Sequence, residues 1–194
     1  MVDKAAAAES ALAPGQCGLA EAVARYLFKL MAFKDEYEVA RLYTDGNFLK
    51  QVGNELGGDN LRFEFHLAPP LLAKIDSATG LPRKMSFGPW MMGAFGLLAK
   101  FKFLRGTKFD IFGRHKDRVT ERALIAEYEQ AVETVLKLVS KENYGACVEL
   151  LNLPDMIRGY GPVKAQNLAA VKAEEAALLA RFRSKEAAMA TAAE

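Results

Sequence analysis

The sequence predicts an α+β protein, predominantly helical, with its helices packed on a small antiparallel sheet or hairpin. Two pattern observations point there. Apolar residues recur at three- and four-residue steps over several long stretches, the signature of helices with one buried face, while a single short stretch alternates strictly, the signature of a strand. Composition supplies the third: 194 residues, 51% hydrophobic and 26% charged, are ordinary for a globular chain long enough to bury a core.

The elements follow in order. Residues 1–16 are alanine-rich and closed by Pro14 and Gly15, and read as a flexible linker or N-terminal tether. Residues 17–187 read as a single globular helical domain, and 188–194 as a frayed tail. Leu19, Val23, Tyr26, Leu27, Leu30, Tyr37 and Ala40 line one side of a helix, with Glu21, Arg25, Lys29 and Glu36 largely opposite. Asp45-Gly46 is turn chemistry, and a short helix is expected over 47–56. The run Leu61 to Leu67 alternates, with Arg62, Glu64 and His66 on the polar side, as a strand with one buried face does. Pro69 and Pro70 end it. Residues 71–75 and 81–85 then flank 76–80 as a hairpin with a five-residue loop.

Pro89 suits a first helical position, so a helix is expected over 89–102, then an irregular stretch over 103–115. Val119, Ile125, Tyr128, Val132, Val135 and Val139 mark the clearest helix. Ser140 reads as the N-cap of another, running through Leu151. Pro154 breaks that helix, Arg158-Gly159-Tyr160-Gly161 turns the chain, and Pro162 opens a last helix to about residue 187.

Charge and cysteine usage narrow the function. Lys and Arg exceed Asp and Glu by two, which gives no reason to expect a nucleic-acid partner. Cys17 and Cys147 leave one disulfide open but provide no disulfide framework, and a reducing cytoplasm fits best. No apolar run approaches the roughly 20 residues that span a bilayer. Iron–sulfur clusters need several closely spaced thiolates, and two distant cysteines with His66 and His115 do not make a structural zinc site either. The phosphate loop GxxxxGK[ST] and the nucleophile elbow GxSxG do not occur. Gly58-Asp59-Asn60 is not followed by the paired asparagines of a thiamine diphosphate site. No catalytic residue and no cofactor are assigned to this chain.

Four groups of residues remain as candidates. In Arg158-Gly159-Tyr160-Gly161-Pro162-Val163-Lys164, Gly159 and Gly161 permit close backbone approach while Arg158 and Lys164 add charge at a helix N-terminus. An anion such as the phosphate of a coenzyme A-like ligand suits that arrangement; so does a plain helix–helix turn with solvated cations. His66, beside Glu64 on the strand's polar face, is a candidate proton carrier or substrate hydrogen-bond donor, and equally a surface histidine. Glu38 and Glu64 are acids with nothing to place them together. Trp90, Met91 and Phe95, in a helix apolar nearly all round, are candidates for an interface with another subunit, or for the core. The cations trailing that helix invite a membrane-surface reading, which the missing polar face disfavours.

Several stretches together resemble one family. They are Phe33–Tyr43 (FKDEYEVARLY), Phe65–Ala73 (FHLAPPLLA), Phe87–Met91 (FGPWM), Arg122–Tyr128 (RALIAEY) and Ile157–Lys164 (IRGYGPVK). In this order they are similar to the C-terminal domain, of unknown function, of the long fused indolepyruvate:ferredoxin oxidoreductases of bacteria, from about Leu19 to Phe182. The resemblance implies a parent enzyme that oxidatively decarboxylates arylpyruvates to arylacetyl-coenzyme A and passes electrons to ferredoxin. It places the thiamine diphosphate, magnesium and iron–sulfur clusters in partner domains. It implies that this chain, as fragment or separate subunit, is a structural and interaction domain whose partners are those catalytic domains. A homo-oligomer is left open.

Overall fold

The computed structural model describes residues 1–57, 61–69, 74, 76, 82–159 and 161–191, with side chains described as far as Phe182. Among them are eight α-helices and one two-stranded antiparallel sheet, the helical α+β class expected from the sequence. The chain divides into two compact units: Met1–Ala32 with Glu121–Glu194, and Phe33–Thr120.

The first unit contains α1 (Val2–Leu12), α2 (Gly18–Met31), most of α6 (Lys116–Leu138), α7 (Tyr144–Asn152) and α8 (Gly161–Thr191). The expected tether at residues 1–16 is instead largely α1. Alanine is the best helix former, and Ala5 packs into the core with no exposed surface. Glu9 then fixes α1 in place. Its side chain is 1% exposed, and its carboxylate accepts from the Leu19 N–H (2.7 Å), the Ala20 N–H (3.0 Å) and the Tyr144 hydroxyl (2.5 Å). Those amides belong to the first turn of α2, where N–H groups lack helical partners and the helix dipole favours an anion. Desolvation pushes the Glu9 pKa up, but the Tyr144 hydroxyl and the two amides outweigh it and hold the carboxyl below its ordinary range.

The core of this unit is aliphatic: Leu19, Val23 and Leu30 from α2 meet Val132 and Val135 from α6 and Leu151 from α7. Tyr128 is the polar exception, its hydroxyl 3.0 Å from the Leu151 carbonyl and 3.2 Å from that of Ala22. Burial pushes its pKa well above the ordinary tyrosine value. Ser140 does not cap α7. Asn143 stands at that position, and its side chain accepts from the Ser140 N–H and donates to the Leu138 carbonyl, both at 2.7 Å, so it tightens the α6–α7 turn. Pro154 ends α7 as expected, within a 3-10 turn, Leu153–Met156. The helix α8 runs past the expected end near residue 187, since nothing in its alanine- and glutamate-rich sequence breaks it.

The second unit contains α3 (Glu36–Thr44), α4 (Asn47–Leu56), β1 (Phe65–Leu67), β2 (Met85–Phe87), α5 (Met91–Lys100) and a 3-10 turn, Phe101–Leu104. The apolar pattern read as one helix from Leu19 to Ala40 is two, α2 and α3. Asp35 starts the second by accepting from the Glu38 N–H at 2.8 Å, an N-cap at the head of the run Asp35-Glu36-Tyr37-Glu38. The strand is shorter than expected. Only Phe65, His66 and Leu67 join the ladder, opposite Phe87, Ser86 and Met85. Most of the hairpin expected over 71–85 lies outside the described residues, although the Arg83 N–H donates to the Lys74 carbonyl at 2.8 Å.

Aromatic rings hold this unit together. Tyr43 stacks on Phe95 at 5.2 Å, and Phe65 meets both edge-on at 5.4 and 5.3 Å. Such pairs add roughly 0.5–1.5 kcal/mol each beyond the area they bury. Among the described residues no helix is long and apolar enough to cross a membrane.

Candidate functional site

A cleft of about 640 Å³, large enough for a drug-sized molecule or a bulky side chain of a partner, opens in the second unit. Its apolar lining comes from α5 (Met91, Ala94, Phe95, Leu98), from Val39 on α3, and from Leu67 and Phe87 at the ends of the two strands. Trp90 stands at its edge, 64% exposed, with Phe87 edge-on at 6.0 Å. Met91 and Phe95 turn inward into the small core, so of the three interface candidates Trp90 alone presents its side chain broadly to solvent. The reason is helical spacing: Met91 and Phe95, four apart, share a face that the neighbouring Trp90 does not.

The polar lining is built from the start of α3 and the start of α6. Asp35 is buried and bound by Arg105, Nε at 2.5 Å from one oxygen and Nη2 at 2.8 Å from the other. Glu36 is held by Arg118 through two contacts of 3.3 Å, with both side chains mostly buried. Forked arginine–carboxylate pairs fix orientation as well as charge. Each of these carboxylates is therefore engaged, and the pairs shape and polarise the wall of the cleft. His115 lies near them, half-exposed, and its Nδ1 accepts from the Asp117 N–H at 3.4 Å with the Asp117 carboxylate 3.7 Å away. Tyr37 belongs to the same neighbourhood, its hydroxyl 3.4 Å from Asp110 and its ring edge-on to Phe112. Burial and the adjacent Asp110 raise its pKa.

The other sequence candidates lie elsewhere. Arg158 donates to the Asp155 carboxylate at 2.5 Å and to the Asp155 carbonyl at 2.8 Å. Lys164 is bound to Glu121 at 2.5 Å, both half-buried or deeper. Both cations of the glycine-rich turn are thus taken up by acids of the same unit. Gly159 is needed for its own reason: φ is +91°, and a Cβ would lie 2.9 Å from Val163. Gly161 also has positive φ but faces open space, and Tyr160 lies outside the described residues. His66 is exposed on β1, bonded to the Ser86 hydroxyl at 3.0 Å and 4.0 Å from Glu64. Glu38 is bound by Arg41, whose hydrogen bonds lower its pKa. Both cysteines are free thiols, Cys17 exposed and Cys147 buried. Among the described residues no group of three or more His, Cys, Asp and Glu is placed to hold a metal ion.

The fold and the site together define a helical α+β protein with an aromatic, ion-pair-lined cleft in one of its two units. Residues 1–177 match the model of a family of unknown function, DUF6537, and the chain belongs to that family. No curated protein and no solved structure matches it.

Proposed function

We propose that this chain is an interaction domain of a cytoplasmic 2-oxoacid:ferredoxin oxidoreductase, serving catalytic domains that convert arylpyruvates to arylacetyl-coenzyme A and reduce ferredoxin. The cofactors of that chemistry reside in those partners. The domain contributes recognition, with its second unit as the recognising part.

One observation carries the reading. Of the five stretches that resemble the indolepyruvate:ferredoxin oxidoreductases, three supply the wall of one cleft: Lys34, Asp35, Glu36 and Val39 from the first, Leu67, Ala68 and Pro69 from the second, Phe87, Trp90 and Met91 from the third. Segments dispersed in sequence that converge on one concave surface are what a binding role requires. The coenzyme A-like alternative at the Arg158–Lys164 turn draws less support, since Asp155 and Glu121 already occupy its two cations.

The test is co-purification. The 194-residue chain, immobilised, is expected to retain a thiamine-binding catalytic polypeptide of this enzyme class, and by itself to decarboxylate no arylpyruvate even with added thiamine diphosphate. Failure to retain that polypeptide would remove the reading.

A further inference from the structure

The stretch 100–116 stands apart from the rest of the chain in charge. It carries six Lys and Arg residues against one acid, Asp110, whereas the whole chain is only +2. Four of its bulky apolar side chains, Phe101, Phe103, Phe109 and Ile111, are exposed. Phe103 is 69% exposed, Phe109 76% and Ile111 57%, with Phe101 beside Phe103 at 6.1 Å between ring centres. Four exposed bulky apolar side chains within eleven positions of a cation-rich stretch are more than the scattered single ones that need no explanation.

This surface is held in shape. Asp110 is buried, and its carboxylate accepts from the Gly106 N–H and the Gly113 N–H, both at 2.8 Å, with the Tyr37 hydroxyl at 3.4 Å. A Cβ on Gly113 would lie 2.2 Å from that carboxylate, so only glycine lets the loop close on it. One acid thus turns inward, where it organises the loop, while its neighbours Phe109 and Ile111 face solvent. Arg105 is likewise turned inward to Asp35. Lys100, Lys102, Lys108 and Arg114 are exposed in the same stretch of chain.

We infer that this face, the 3-10 turn Phe101–Leu104 with the loop that Asp110 holds, docks a protein surface having an apolar centre and an acidic rim. The inference rests on the proposed function and names the docking face and the chemistry of its partner. Charge complementarity identifies the rim, and the exposed rings and Ile111 identify the centre. A fixed loop favours a shaped protein partner. An anionic bilayer would call for an amphipathic helix with a continuous apolar face, whereas these side chains sit on a 3-10 turn and an irregular loop. A single-stranded nucleic acid would stack on the rings but leave Ile111 without a role.

The test measures binding of the full chain to the purified thiamine-binding catalytic polypeptide, beside F103S/F109S and K102E/K108E variants. All four positions are exposed, so circular dichroism and the thermal midpoint serve as folding controls. Removing both rings is expected to weaken binding about a hundredfold, roughly tenfold for each. The charge reversal is expected to slow association about tenfold and flatten its salt dependence. Binding by the wild type with both variants unchanged would overturn the docking face and leave the proposed function standing. No binding by the wild type would overturn both. Retention on phosphatidylserine vesicles or a single-stranded oligonucleotide, lost in F103S/F109S, would assign the face to that ligand and overturn the inference.

Discussion

The two units solve the problem of a core differently. The first buries aliphatic side chains and alanine between long helices, and a cavity found there is about 30 Å³, room for little more than a water molecule. Among the described residues the second buries fewer apolar side chains, those of Tyr37, Ala40, Phe65, Met91 and Phe95, and relies on ring contacts and on carboxylates gripped by arginines. It also holds the large cleft and the exposed rings of Phe101, Phe103 and Phe109. The two units treat apolar side chains differently: one encloses most of them, the other leaves many outside.

That contrast can be broken or sharpened by measurement. The largest effect is expected from Phe95→Ala, where three rings meet. It should cost about 3–4 kcal/mol, the usual range for a buried phenylalanine, with faster hydrogen exchange over 85–100. A loss under about 1 kcal/mol would mean that the ring cluster is not a core at all.

Next is Glu9→Gln in the first unit, expected to cost about 2 kcal/mol in urea denaturation, since an amide cannot accept from all three donors. Because folding lowers the Glu9 pKa, its contribution is present above the unfolded carboxyl value and is lost as pH falls through the folded value. The wild type should therefore destabilise more steeply with acid than the variant. Parallel acid profiles would show that folding does not lower the Glu9 pKa.

Tyr128→Phe should cost about 1 kcal/mol by leaving two buried carbonyls with weaker partners. Smallest is the thiol contrast. Cys17 is exposed, whereas burial has pushed the Cys147 thiol up to about 11. Alkylation of the folded chain at mildly alkaline pH should modify Cys17 and spare Cys147 until urea is added. Equal rates would mean that the aliphatic unit opens freely.

Much of this was legible locally. The helix at Asn47–Leu56, the long α6, the break at Pro154 and the turn at Gly159 follow from periodicity and backbone chemistry. The boundary between α2 and α3 was also written, as Asp35 with Glu38 three residues on. The apolar spacing overrode it, because two successive helices can keep one rhythm. The alanine-rich start reads as a tether because the partners that anchor it through Glu9, the Leu19 and Ala20 amides and the Tyr144 hydroxyl, lie farther along the chain. The cleft is a different matter. Asp35 meets Arg105, and Glu36 meets Arg118, across some seventy to eighty positions of chain. No short-range pattern encodes such partners. Trp90, Met91 and Phe95 all line the cleft, but that Trp90 is exposed while Met91 and Phe95 are buried became visible only once the burial of each helical face was known.

The division of the chain carries a consequence for its biosynthesis. The first unit is assembled from both ends of the sequence, so α1 and α2 emerge from the ribosome long before the helices that cover them. The second unit is continuous and can be complete while the ribosome is still making α8. Until Glu121 and the residues beyond it arrive, Leu19, Val23 and Leu30 have no cover from that side. The aromatic unit is therefore the natural first folder, and the N-terminal helices are the segment that most needs shielding during synthesis.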